Sequence, residues 1–376
     1  MQPSIPIGPR RHAHRGRPAL SVLGLLAATV AMVGCSTVGP AGLRSGRTAW
    51  SRAIADTGAQ QTLLAIVRGR FGEPTAYLSV SAIASNWKLS VQPSVNAGFG
   101  PSSSYSGNLV PFGLTVVAEE NPTVSYVPIS GARYSAQFLT PIDPVIAGRM
   151  VFSGLDPLTA ALTFRLLVGE INAIHQPLLM LPNHEEHRPR ELDDRFVEIS
   201  AAFGQLVTHG GTSLVLLADK EPAILFRLEA RHRPRVDRLF ELLELAPPPA
   251  DAKVAQLRIS TIPRELRKNE VFLRCRSINE LNRLAMACVE VPEVEQPYAI
   301  ELAPAPGFED VLRIRSGTSA PKDASLVVEH RGHYYWIEDS DIQSKQYFQM
   351  IEQLQTLMQQ DDDTGAPVLT LPVASG

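Results

Sequence analysis

Three histidines and a pair of adjacent glutamates crowd the stretch HQPLLMLPNHEEHRPRELDD: His175, His184, Glu185, Glu186 and His187. Imidazoles and carboxylates at this density are what a metal site is built from, and a zinc peptidase would write them as H-E-x-x-H, two histidines four apart on one helical face. Here His184 and His187 are three apart, between Pro182 and Pro189. That bracketing predicts a solvated loop between two helices, so His184 and His187 stay weak metal-ligand candidates and no cofactor is expected. Arg231-His232-Arg233-Pro234-Arg235 is a short basic cluster, read as a solvated helix start in preference to a phosphate site. His330, His333, Tyr334, Tyr335 and Trp336 surround a hairpin turn at Arg331-Gly332. Aromatics at alternate positions there pack on the sheet, with a sugar-stacking platform as the alternative. No G-x-S-x-G elbow, G-x-x-x-x-G-K-[ST] loop or C-x-x-C pair occurs. No catalytic residue is assigned.

Cys275 and Cys288 lie in VFLRCRSINELNRLAMACVEV, where Ser277 and Glu280 form the S-x-x-E of a capping box. Ile278, Leu281, Leu284, Ala285 and Cys288 then recur at helical spacing. A helix from 278 to 288 separates the thiols by about 15 to 20 Å, whereas bridged Cα atoms sit within about 7 Å. Both are therefore read as buried thiols.

The third cysteine, Cys35, closes the only long apolar run near the start. Residues 1–17 carry Arg10, Arg11, Arg15 and Arg17 and no acid, and PALSVLGLLAATVAMVG then runs uncharged to Gly34. A basic segment followed by a short apolar one is the layout of an export signal, and the run is short of the roughly 20 residues a spanning helix needs. Met32-Val33-Gly34-Cys35 resembles the lipobox of bacterial lipoproteins, matching at the small residue and the cysteine and departing at the first two positions. The resemblance implies removal of residues 1–34 and lipid on the sulfur and amine of Cys35. Acyl chains contribute about 0.8 kcal/mol per buried CH₂, so several on one residue anchor a soluble body firmly. Ser36, where Asp would favour retention at the inner membrane, implies the outer membrane.

Without residues 1–34 the chain keeps 31 basic against 38 acidic residues, a formal charge of −7. A mildly acidic body has no electrostatic reason to bind nucleic acid. The expected partners are membrane lipid through Cys35 and an envelope protein.

The elements that must position these groups read as an α+β chain of helices and mostly antiparallel strands. A tether, 35–48, precedes an N-terminal α+β region, 49–245; the Pro-rich stretch 246–254, read from LAPPPADAK, is a linker or a loop; a C-terminal β-α-β-β-α-like unit spans 255–360, and the acid-rich tail, 361–376, is expected to be disordered. In the first region TAWSRAIADTGAQQTLLAIVRGRFGEP predicts a helix burying Leu63, Leu64, Ile66 and Val67 and ending at Pro74, followed by strands in 75–95. AGFGPSSSYSGNLVPFG reads as a mobile loop, and GLTVVAEENPTVSYVPIS as two strands around an Asn121-Pro122 turn. Asp156-Pro157 starts a buried helix expected to run through LTAALTFRLLVGEINAI. RELDDRFVEISAAFGQLVTHGG is a second helix, stopped by Gly210-Gly211. TSLVLLA and AILFRLEA predict a hairpin. In the C-terminal unit, strands near 255–260 and 271–275, DVLRIRS and SLVVEHRGHYYWIED accompany the Ser277–Cys288 helix. Ser340 is expected to cap a last helix with Tyr347, Ile351, Leu354 and Met358 on one face.

QTLLAIVRGRFGEPTAYLSVSAI, LTPID at 139–143 and WIEDSDIQSKQYFQMIEQL resemble a family of Gram-negative envelope lipoproteins with no established activity. The resemblance would span most of the mature chain and carries over no catalytic residue. The expectation is a lipid-anchored periplasmic protein with a structural or interaction role, with a secreted periplasmic protein as the alternative location, against two alternatives for function: an envelope enzyme of hydrolase type, or a ligand-binding lipoprotein.

Overall fold

A computed structural model describes residues 48–95, 112–154, 156–180, 193–322, 324, 326–359 and 369–372. Cys35 and its signal, the residues of the expected mobile loop up to 111, and the segment holding His184 and His187 lie outside them. Two compact units are distinguished, residues 1–58 and 59–376. Residues 48–70 are helical (α1), with 48–58 in the first unit, where Thr57 Oγ1 donates to the Ala53 carbonyl oxygen, 2.7 Å away.

The second unit is α+β, with a short helix, α2 (Gly131–Tyr134), and a two-stranded pair, β5 (Leu179–Met180) with β10 (Ala303–Pro304), beside its main elements. Its centre is a six-stranded sheet ordered β4-β3-β9-β8-β7-β6, made of β3 (Val168–Ile171), β4 (Ile174–His175), β6 (Thr212–Leu216), β7 (Pro222–Arg227), β8 (Val254–Ser260) and β9 (Glu270–Cys275). Every pairing is antiparallel except β8 with β9. β7 pairs with β8 across the Pro-rich stretch, and β3 with β9 across a hundred residues, so 49–245 and 255–360 share one sheet and LAPPPADAK is a loop inside it. Arg233 holds that loop, donating from Nη1 to the Pro249 carbonyl oxygen at 3.0 Å and from Nη2 to that of Pro248.

Helices α3 (Pro144–Phe152), α4 (Pro157–Leu167), α5 (Asp194–Thr208) and α6 (Arg233–Leu242) pack on one another, with α3 and α5 also touching the sheet. Their ends follow local chemistry. Asp156 accepts from the N–H groups of Leu158 and Thr159, and Pro157 occupies the first turn where no donor is lost. After α5, Gly210 takes φ +70° and the N–H of Gly211 reaches back to Leu206 O, a C-terminal cap that needs glycine. α1 ends the same way at Gly72 (φ +69°), two residues before the expected stop at Pro74, with Glu73 N donating to Arg68 O.

The buried helix expected through residue 174 ends instead at Leu167. Val168 there pairs with Cys275 as the first residue of β3, and a Cβ on Gly169 would meet arginine side chains from β9. The segment expected as two strands around Asn121-Pro122 is one strand, β2 (Phe112–Ile129), antiparallel to β1 (Tyr77–Val95) along its whole length. Proline lacks a ladder donor and suits an open edge; the third strand, β14 (Leu369–Pro372), covers β2 only over Thr123–Tyr126 and stops beside Pro122. β14 also corrects the tail, where part of the segment expected to be disordered pairs as a strand.

Around α7 (Ile278–Ala287) the capping box is present, Ser277 with Glu280. Cys275 is buried, Cys288 is the half-buried C-cap of α7, not a position within its apolar face, and both thiols are free. DVLRIRS is not a strand throughout: Val311 and Leu312 are buried outside any strand, and β11 is Arg315–Gly317. It joins β12 (Val327–His330) and β13 (His333–Trp336), linked by Arg331 (φ +52°) and Gly332 (φ +76°) in the two-residue turn the sequence predicts. The last helix, α8 (Ile342–Leu357), is capped by Asp341, whose carboxylate accepts from Ser344 N and Oγ; Ser340 lies one residue outside. Tyr347, Phe348, Ile351 and Leu354 are buried as its core face, and Met358 is half-buried. No helix of the described residues is long and apolar enough to cross a membrane.

Candidate functional site: a groove between two helices

α4 and α8 each bury one face and leave a flank free, and those flanks border a groove of about 550 Å³. α4 sits tight against α5, where Gly204 has no room for a side chain. α8 packs inward through its apolar face, with Tyr347 Oη donating to Leu281 O at 2.9 Å. At positions 158, 162 and 166, one helical face of α4, leucines line the trough; from α8 come Ile342, Gln346, Gln349 and Gln353, spaced so that they too share a face. Leu158 is 79% exposed and Ile342 60%, and both stand at the rim of this one groove.

The polar groups on the α8 side are amides. Gln343, Gln346, Gln349 and Gln353 form no hydrogen bond among the described residues, so each offers a donor and an acceptor. The one carboxylate lining the groove is Asp156, and it is engaged: hydrogen bonds from the Thr159 hydroxyl and from the main chain of Thr159 and Leu158 hold it below the usual carboxylate range. Apolar walls with unbonded amides suit non-covalent binding of an uncharged chain; they do not bring together a nucleophile and a base.

The residues singled out in the sequence lie elsewhere. His175 is on β4, its Nδ1 3.4 Å from Glu170 Oε2. His184, Glu185, Glu186 and His187 lie outside the described residues, among which no group of three or more His, Cys, Asp or Glu could hold a metal. The basic cluster at 231–235 is bonded within the chain: Arg231 to Glu229, Arg233 to Asp237, Arg235 to Gln205. His232 is not solvated as expected but buried, and burial, with Arg231 beside it, lowers its pKa. Around the β12–β13 turn Tyr335 is fully buried, Trp336 packs over Gly317, and His330 Nε2 lies 3.3 Å from Glu73. Arg331 joins Glu73 and Glu295 and covers the rings of Phe71 and Tyr298. These contacts fix the hairpin to the end of α1.

The groove was missed because its two walls are some 180 residues apart in the chain. The signal that could have found one wall is the run of glutamines at 343, 346, 349 and 353, a polar stripe without charge on an otherwise amphipathic helix. No family model matches the chain, and no curated protein or solved structure matches it either.

Proposed function

We propose that this is an envelope lipoprotein, held at the periplasmic face of the outer membrane by lipid on Cys35, whose body binds an extended, uncharged apolar segment of another envelope protein in the α4–α8 groove. The signal-like start and the cysteine that closes it support the anchor; the observation that carries the binding role is the free amide row facing leucines. Amides one helical turn apart rise about 5 to 6 Å along α8, close to the roughly 6.6 Å between alternate residues of an extended strand. A strand lying in the groove could therefore meet successive glutamines with its main-chain carbonyl and N–H groups while its side chains cover Leu158 and Ile342. The lack of net charge on the α8 wall selects against a strongly charged partner.

A photo-crosslinking residue placed at Ile342 in intact cells tests this. The expected result is one defined protein adduct, mapped by mass spectrometry to an uncharged apolar segment, and lost when Leu158→Glu charges the opposite wall. Adducts to lipid alone, or a protein adduct indifferent to Leu158→Glu, would overturn the binding role. The anchor is tested separately: Cys35→Ser is expected to leave the chain uncleaved or mislocalised, and a processed mutant still in the outer membrane would refute lipidation.

A further inference from the structure

Arg274, in β9, and Arg276, one residue past its end, stand two residues apart, a spacing that sends the side chains of an extended segment to the same face. They border a cleft of about 250 Å³ with Arg283 of α7, Glu280 and the Gln176–Leu179 segment after β4. Their guanidinium ends converge. The position a Cβ would take on Gly169 lies 2.7 Å from Arg274 Nη2 and 2.9 Å from Arg276 Nη1, so the two nitrogens are within about 5.6 Å of each other, the sum of those distances. Only glycine in β3 leaves room for both.

Charge at this point is unbalanced. Arg276 is 2% exposed, and its hydrogen bonds go to main-chain carbonyl oxygens: Nε to Leu166 at 3.0 Å, Nη2 to Gln176 at 2.7 Å and to Arg165 at 3.3 Å. Among the described residues no carboxylate pairs with it, and Arg283 makes neither an ion pair nor a hydrogen bond. Glu280 and Glu170 both face Arg274, at 3.1 Å and 3.7 Å, and Glu280 also accepts from Ser277 N in the capping box. Burial pushes the Arg276 guanidinium down to about 10, opposed by the nearby Glu280, which leaves it charged at neutral pH. Gln176 is also 2% exposed and its Oε1 has no partner. A buried cation bonded to main-chain carbonyls and to no carboxylate is costly to keep.

We propose that this cleft is a binding site for a small oxyanion, a carboxylate or a phosphate, bridging Arg274 Nη2 and Arg276 Nη1, with Arg283 closing the rim. Those two nitrogens make no hydrogen bond among the described residues, and a planar or tetrahedral oxyanion takes charge-assisted bonds from both. Gln176, adjoining, offers its free Oε1 as an acceptor to a donor on the remainder of the ligand.

The test is nuclear magnetic resonance of arginine Nε–Hε groups in the detergent-solubilised mature protein, titrated with sodium acetate in one arm and sodium phosphate in the other at ionic strength held constant with chloride. Saturable shifts of Arg274 and Arg276 are expected in at least one arm, and the stronger arm identifies the ligand class. In Arg283→Gln, a change at an exposed position, the half-saturation concentration should rise about tenfold, the loss of one charge-assisted contact. Arg274→Gln, a second variant, should weaken binding at least as much, and Arg238→Gln on α6 should not. Shifts that grow linearly and are shared by Arg238, or saturation unchanged in both Arg283→Gln and Arg274→Gln, would overturn the site.

Discussion

The hydroxyl of Tyr347 on α8 donates to the main-chain carbonyl oxygen of Leu281 on α7, 2.9 Å away, in a wholly buried setting that pushes its pKa well above the usual tyrosine range. The last helix is thus tied to the C-terminal unit by a directional bond as well as by apolar burial. Further along it, Gln355 bonds Thr62 and Gln137, and Gln359 bonds Ser79.

Tyr347→Phe is accordingly expected to cost about 1 kcal/mol, the net worth of one such hydrogen bond. Truncation after Asp339 removes five large buried side chains, Tyr347, Phe348, Met350, Ile351 and Leu354, worth roughly 1.5 to 3 kcal/mol each, against a typical stability of about 5 to 15 kcal/mol. Denaturant titration of the point variant and limited proteolysis of the truncated chain check this. A soluble, protease-resistant 35–339 fragment would show that α8 is dispensable. Among the described residues, truncation after Gln360 removes β14 alone, so a small loss of stability is expected.

Gly204→Ala should be severe for so small a change. Its Cβ would lie 2.3 Å from Pro157 O and 3.0 Å from Ala161 N, both main-chain atoms of α4 that cannot swing aside. Overpacking of this kind costs about 1 to 3 kcal/mol or more. Because Pro157 adjoins Leu158, the variant is also expected to weaken crosslinking from Ile342; a melting temperature equal to that of the unaltered protein would refute the close α4–α5 packing.

Glu352 on α8 gives a pH dependence. Burial pushes its carboxyl up to about 7, whereas an unfolded chain titrates it near 4.3. Between those values the folded state holds a proton that the unfolded state releases, so stability from this group falls as pH rises through about 4.3 to 7. Partial exposure limits the effect to about 1 kcal/mol. Glu352→Gln should raise the melting temperature at pH 8 and leave it nearly unchanged at pH 4; equal shifts at both would refute the assignment.

Burial pushes the Cys275 and Cys288 thiols each up to about 12, and the thiolate is the reactive form. A disulfide reagent at pH 8 is expected to label neither in the native protein and both in denaturant. The denatured count also bears on the anchor, since lipidated Cys35 adds no third thiol. Rapid native labelling would show that one of the sites opens.

What the sequence settles by itself is what four or five neighbouring residues decide together. Asp156 before Pro157, Ser277 with Glu280, Gly210 after α5 and the Arg331-Gly332 turn were all legible, because a cap or a tight turn bonds within its own segment. The readings of Cys35 and of the histidine-rich segment rest on the same local kind of signal, composition and spacing, and fall outside the described residues. Where a partner from far along the chain competes, local reading fails: Val168 leaves its helix to pair with Cys275, and the strand through Pro122 continues because β1 lies beside it. Both candidate sites belong to this second kind. Leu158 shares a groove with the glutamines of α8, and Arg274 and Arg276 converge over Gly169, only after folding has brought residues a hundred or more positions apart side by side. Helical and strand periodicity fix which face of an element is apolar, but the face opposite is set by packing, and packing is a property of the folded chain.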